Sequence, residues 1–269
     1  MSELNLSRRQ LLRLSGASVA GSLFLAACGK QSNVEQSSNI ASAGTVPPTT
    51  ALPEAEVNDI VLLRTAASLE YNAIDTYELA LEAGLLSGDY AKYADAVKRF
   101  RDDHREHADA VNKLVVALGG KAHTCANTRI KTTYLDPAVA LITEGDNPDA
   151  ARDTIALAHA LENIAAQTYQ GVVGSLSSPK LRADAMRIGQ DEARHAVVLA
   201  QVLNPGHAAV PQTVDAATGR NNIASVPTAF GSLANVSLTI GAPNSDGVKT
   251  NLILSTPSLN SFVYEFVSC

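Results

Sequence analysis

The chain has 269 residues, 27 of them acidic and 21 basic, for a formal net charge of −6. A surface that grips phosphates needs a basic face, so this balance argues against nucleic acid as a partner. Hydrophobic residues make up 46% of the chain, enough for one sizeable core with an appendage.

Residues 1–27 read as an export signal rather than as part of the fold. Ser7-Arg8-Arg9-Gln10-Leu11-Leu12 sets paired arginines before a moderately apolar run, Leu11 to Ala27. That run is too short and too polar to span a bilayer comfortably. It resembles a twin-arginine signal, and it ends in Leu25-Ala26-Ala27-Cys28-Gly29, which resembles the lipobox of bacterial lipoproteins. The resemblance implies that Cys28 is lipidated and becomes the mature N-terminus, anchoring an exported protein to the cell envelope. Residues 28–54 are rich in Ser, Thr, Ala, Asn and Pro, and such a stretch buries too little apolar surface to offset its ordering entropy. It reads as a flexible tether.

Residues 55–204 carry four stripes at helical spacing. They run Ile60-Leu63-Ala67-Glu70-Ile74-Tyr77-Leu81, then Tyr93-Val97-Phe100-His104-His107-Val111-Leu114-Leu118. The second pair runs Ile155-Ala158-Glu162-Ala165-Tyr169-Val172, then Leu181-Ala185-Ile188-Glu192-His195-Leu199-Val202. Glycines at 84 and 88 separate the first two, Gly119-Gly120 ends the second, and Ser177-Ser178-Pro179 opens the fourth. Lys121 to Asp149 is too long for an antiparallel turn and reads as a crossover between two helix pairs. In residues 205–269 the pattern changes. Val236–Ile240, Thr250–Leu254 and Phe262–Val267 read as strands, with a turn at Pro243-Asn244-Ser245-Asp246-Gly247 between the first two. The expected fold is mainly α: a four-helix bundle with a long crossover between helices 2 and 3, plus a small C-terminal β appendage.

The two helix pairs repeat one another. Leu69-Glu70 and Thr76-Tyr77 align with Leu161-Glu162 and Thr168-Tyr169. His107-Ala108 aligns with His195-Ala196, 37 residues beyond Glu70 and 33 beyond Glu162 respectively. Each stripe is apolar except for acids or histidines at its middle. An i, i+3 pair places both donors on one helix face. A Glu on one helix and such a pair on the next, repeated twice, converges six donors inside a bundle: Glu70, His104, His107, Glu162, Glu192 and His195. Carboxylates suit iron or manganese and can bridge two ions, while imidazole fills terminal positions. Buried acids without such partners would cost several kcal/mol each or shift in pKa.

On these residues the chain resembles the ferritin-like superfamily, in particular exported ferritin-like proteins related to rubrerythrin and the desiccation-related group. The resemblance implies a site for two iron or manganese ions. Glu70 and Glu162 would be terminal carboxylates, Glu192 a bridging one, and His107 and His195 terminal nitrogen ligands. His104 departs from the pattern, standing where the family has a second bridging Glu. Three carboxylates and three neutral histidines leave two divalent ions with about one excess positive charge. The outcomes left open are an altered two-ion site, a one-ion site, or a His104 that does not ligate. Asp103 and Glu106 have similar spacing but sit about 100° from the stripe and are expected to face solvent.

Tyr77 and Tyr169 fall on the core stripes seven residues beyond each Glu. Core packing is the simpler role, beside hydrogen bonds to the ligands or redox chemistry. With Cys28 lipidated, Cys125 and Cys269 remain for a disulfide, as against two free thiols. No Cys-x-x-Cys pair supplies electrons. The functional expectation is therefore an envelope protein oxidising ferrous iron or reducing oxygen or peroxide with an external reductant. The alternative is a non-catalytic scaffold serving stress or desiccation tolerance. The tether and tail would hinder assembly into a closed storage shell.

Overall fold

Asn58 sets the first helix. Its backbone is extended and its side chain accepts from the Val61 amide at 3.0 Å, so α1 (Asp59–Glu82) starts on a satisfied cap. The computed structural model describes residues 40–42, 58–205, 236–254 and 269. The expected export signal, Cys28 and the strand at 262–267 lie outside those residues. Gly84 closes the end of α1 with φ +63°, a conformation that costs a side-chain-bearing residue steric strain. A 3-10 turn at Gly88–Tyr93 leads into α2 (Ala94–Ala117). Tyr93, read as the start of the second stripe, belongs to that turn. Leu118 lies past the end of α2 and is exposed.

The crossover is not bare loop. It contains a helical run from Thr128 through a π-helical stretch, Lys131–Leu135, into α3 (Asp136–Thr143). Asn127 starts it, accepting from the Ile130 amide at 3.2 Å, while its own amide donates to Ser68 O on α1 at 3.0 Å. The second pair follows: α4 (Ala150–Val172) and α5 (Pro179–Leu203). Proline at the first position of α5 needs no hydrogen bond there, and Ser178 caps the helix through Leu181 N.

Helices α1 and α2 pack as one pair and α4 and α5 as the other. Two apolar clusters close the bundle at either end of the polar centre. One holds Leu62, Leu63, Val111, Val115, Leu176 and Leu181; the other holds Tyr77, Val97, Phe100, Ile155 and Leu199.

The C-terminal strands are β2 (Val236–Ile240) and β3 (Thr250–Leu254), antiparallel with Leu238 opposite Leu252. Asn244 makes their turn, its side chain accepting from the amides of Asp246 and Val248 at 3.0 and 2.9 Å. A third strand, β1 (Ile40–Ser42), pairs parallel with β3. It falls within the segment read as a tether. The sheet packs on the bundle through a separate core, in which Leu238, Ile240, Leu252 and Leu254 meet Tyr134, Ala138 and Ile142 of the crossover and Leu157 of α4. Asp153, fully buried on α4, pins the appendage: Lys249 Nζ lies 3.0 Å from both its oxygens and the Gly241 amide donates to it at 2.9 Å. Cys125 and Cys269 are joined in a disulfide that ties the last residue to the crossover.

Candidate metal centre

Glu70 on α1, His104 and His107 on α2, Glu162 on α4, and Glu192 and His195 on α5 all lie at the bundle's middle, each under 8% exposed. Helical spacing puts each residue on an inward face, and the flanking apolar positions seal the level above and below. Between the helices the polar atoms fall into two overlapping groups, each with donors within 4.8 Å of one another. Glu70, His104, His107 and Glu192 form one; His104, Glu162, Glu192 and His195 form the other.

The groups are related by the repeat. His107 Nδ1 lies 2.8 Å from Glu192 Oε1, and His195 Nδ1 lies 3.3 Å from Glu162 Oε2 and 3.4 Å from Glu192 Oε2. The outer nitrogens of both rings meet aspartates. His195 Nε2 is 3.2 Å from Asp103 Oδ2, and His107 Nε2 is 3.5 Å from Asp191 Oδ2. Both rings thus turn Nδ1 inward, the arrangement of a metal-ligating histidine whose other nitrogen is held by a carboxylate. Phe100 stacks on His195 with ring centroids 4.2 Å apart and restricts its tilt.

Asp103 corrects the reading that sends it to solvent. A side chain one residue off the stripe is turned about 100° around α2. In a four-helix packing that direction faces the neighbouring helix α5, so Asp103 reaches His195 with only 16% of its side chain exposed. A signal was present in the sequence: Asp103-His104 and Asp191-Glu192 occupy the same place in the two halves. Glu106 is exposed, as expected.

The tyrosines do two things at once. Tyr77 and Tyr169 are both core residues, and each hydroxyl donates to a carboxylate across the bundle, Tyr77 to Glu162 Oε1 and Tyr169 to Glu70 Oε1. His104 holds the carboxylates of both halves, with Nδ1 2.7 Å from Glu70 Oε2 and Nε2 3.1 Å from Glu162 Oε1.

These contacts set the charges of the metal-free site. Burial pulls the His104 pKa down, but the carboxylates of Glu192, Glu162 and Glu70 outweigh it and hold it well above the ordinary value. Against burial, Glu192 and Glu70 raise His107 to about 10, and Glu162 and Glu192 raise His195 to about 9. Burial would raise Glu70, yet hydrogen bonds from His104 and His107 bring it to about 2. Glu192 is pushed upward, by burial first and also by its repulsion from Glu70 and Glu162, with His104 opposing.

Among the described residues, Glu192 Oε2 is buried and accepts no hydrogen bond, although His195 Nδ1 lies 3.4 Å away. A lone carboxylate oxygen of that kind normally costs several kcal/mol, and a cation between it, Glu162 and His195 Nδ1 would satisfy it. Three carboxylates and three imidazoles, with that buried oxygen among them, fit first-row divalent ions.

Elsewhere, His123 is buried beside the disulfide, with Nε2 3.7 Å from Cys125 Sγ, and His159 meets Asn163 on its own helix at 2.8 Å. Among the described helices none is long and apolar enough to cross a membrane. The family model of the ferritin-like domain matches residues 58–205, the span of the two helix pairs and their crossover. No curated protein and no solved structure matches the chain.

Proposed function

The chain belongs to the ferritin-like domain family, and from that premise we propose that it is a metal-binding redox protein of the bacterial envelope. In this reading it holds two iron or manganese ions among Glu70, His104, His107, Glu162, Glu192 and His195. It oxidises ferrous iron or reduces oxygen or peroxide. It is exported through the twin-arginine pathway and anchored by lipid on Cys28.

The observation that carries the proposal is the buried Glu192 Oε2, which accepts no hydrogen bond and lies at the seam of two donor groups that share Glu192 and His104. When bound in their reduced state, such ions supply the electrons that oxygen or peroxide consumes. The chain's own residues orient and insulate. Asp103 and Asp191 fix the inward nitrogens of His195 and His107, and the two apolar clusters keep water from the ends of the site. Tyr77 and Tyr169 keep Glu162 and Glu70 turned inward by holding one oxygen of each.

A second reading, a non-catalytic scaffold serving stress or desiccation tolerance, draws on a different observation. Every ligand carboxylate except for that one Glu192 oxygen already has a protein partner, so most of the polar centre is satisfied without metal.

Metal analysis of the purified full chain, loaded without oxygen with ferrous or manganous ions, separates the two. About two ions per chain, lost when Glu162 and Glu192 are both changed to Ala, with ferrous iron oxidised faster than in buffer alone, supports the redox reading. Unchanged metal content in that variant, together with higher thermal stability, would overturn it in favour of the scaffold.

A further inference from the structure

His104 is the one histidine of the site whose two ring nitrogens both face ligand carboxylates. Nδ1 is turned toward Glu70 at 2.7 Å and Nε2 toward Glu162 at 3.1 Å, and these carboxylates belong to opposite donor groups. His107 and His195 each give their second nitrogen to an aspartate outside the groups. We infer that His104 bridges the two ions as an imidazolate, Nδ1 binding the ion held by Glu70 and His107 and Nε2 the ion held by Glu162 and His195. Glu192 is the second bridge. The inference rests on reading these residues as a two-ion site.

Three features of the ring support the bridge. Position is the first: the nitrogen lone pairs of imidazole point outward from different edges of the ring, so one ring serves two ions only when it stands between them. His104 stands there, with a carboxylate of one group at each edge. Its fixity is the second. The side chain is 2% exposed and Tyr77 stacks on it with centroids 5.6 Å apart and planes 29° apart. Swinging the ring out to free the centre would strip a partner from both Glu70 and Glu162, and a buried carboxylate that loses its partner is costly.

Charge is the third. Two divalent ions carry four positive charges, and Glu70, Glu162 and Glu192 supply three negative ones. A neutral His104 leaves one positive charge in a buried site, which burial penalises heavily. An imidazolate supplies the fourth negative charge and brings a two-ion site to neutrality. The first ion displaces one ring proton, as at histidine sites generally, and the second ion displaces the other, both leaving to solvent. Imidazole is a good donor to iron, so the substitution keeps iron among the ions the site fits.

The bridge fixes a measurable distance. Metal–nitrogen bonds of about 2.0–2.1 Å on either side of the ring place the ions roughly 6 Å apart. Ions joined by small bridges in two-metal sites stand about 3.5–4 Å apart.

The full chain in detergent, stripped with chelator and loaded with manganous ion without oxygen, gives both quantities needed. Elemental analysis counts the ions, and the dipolar splitting of the electron paramagnetic resonance spectrum, which falls with the cube of separation, gives their distance. The expected result is two ions per chain roughly 6 Å apart. His104→Glu should bring two ions to about 3.5–4 Å. His104→Gln, whose amide offers one carbonyl oxygen and no nitrogen lone pair, should hold one. Two ions at about 3.5–4 Å in the unaltered chain would overturn the bridge and leave the two-ion reading standing. One ion would also overturn the bridge, and no bound ion would overturn both. Circular dichroism checks that each variant folds; if neither does, the separation in the unaltered chain decides alone.

Discussion

Asp103 on α2 meets His195 on α5, with Oδ2 3.2 Å from Nε2 across the two helix pairs, and Asp191 meets His107 in the reverse direction at 3.5 Å. Each half of the bundle therefore orients a central histidine of the other. Asp103→Asn replaces a charged acceptor by an amide that can present either donor or acceptor to the ring. Manganous ion affinity should fall by about 10- to 100-fold. Titration calorimetry reads it, and an unchanged affinity would show that stacking on Phe100 alone orients the ring.

The metal-free protein should be most stable in mildly acidic solution. His107 and His195 have folded pKa values of about 10 and about 9 against an ordinary 6.5. Between those limits the folded state binds more protons than the unfolded one. Their contribution is complete below pH 6.5 and drains away as pH rises through 9 and 10. Glu70 works in the opposite sense: its pKa falls from 4.5 to about 2, so its contribution is present above pH 4.5 and lost as pH falls through 2. Chelator-treated protein should melt highest between pH 4.5 and 6.5 and lose stability toward pH 10. Metal-loaded protein should not show the alkaline loss, because bound ligands are already deprotonated. A melting temperature flat from pH 6.5 to 10 without metal would sink the charge assignment.

Gly189 is the close-approach point of α4 and α5. A Cβ there would stand 3.0 Å from Tyr169 Cβ, an atom that moves only with its backbone. Alanine in a helix gains about 1 kcal/mol over glycine, while overpacking of this kind costs about 1–3 kcal/mol. Gly189→Ala should therefore destabilise on balance and loosen the Tyr169 hydroxyl from Glu70. Urea unfolding checks the sign; a gain would mean that the two helices separate freely.

Lys249→Ala would leave Asp153 with the Gly241 amide and the Asn147 side chain, and no cation. Removing one partner of a buried pair costs about 3–5 kcal/mol, here toward the lower figure because Lys249 is 15% exposed. Amide exchange should quicken in β2 and β3 before it quickens in the bundle, with metal content unchanged. Uniform loss of protection would show that sheet and bundle unfold together.

The sequence made the four helices, the two C-terminal strands and the six central donors legible for one reason. An acid or histidine in an otherwise apolar stripe is conspicuous, and the same interruption occurred in both halves at similar spacing. What escaped depended on relations between elements. Asp103 was read from its own helix, where it lies off the stripe; only the neighbouring helix gives it a partner. The helical run at Thr128–Thr143 is short and interrupted by a π-helical stretch, so its period is blurred. The pairing of Ile40–Ser42 with β3 joins residues some two hundred positions apart, and a three-residue strand carries no alternation to announce it. That one ring at His104 addresses both donor groups is a matter of orientation in space, which residue type alone does not encode.

Apolar clusters cap both ends of the centre, and the outer edges of His107 and His195 are where its polar groups come nearest to the surface. At each edge an aspartate is the next polar group outward, Asp191 36% exposed and Asp103 16%, and each is paired to a surface arginine, Arg194 and Arg99. If the centre takes up ions as proposed, the guanidinium at each edge would have to part from its aspartate before a cation could approach the histidine behind it.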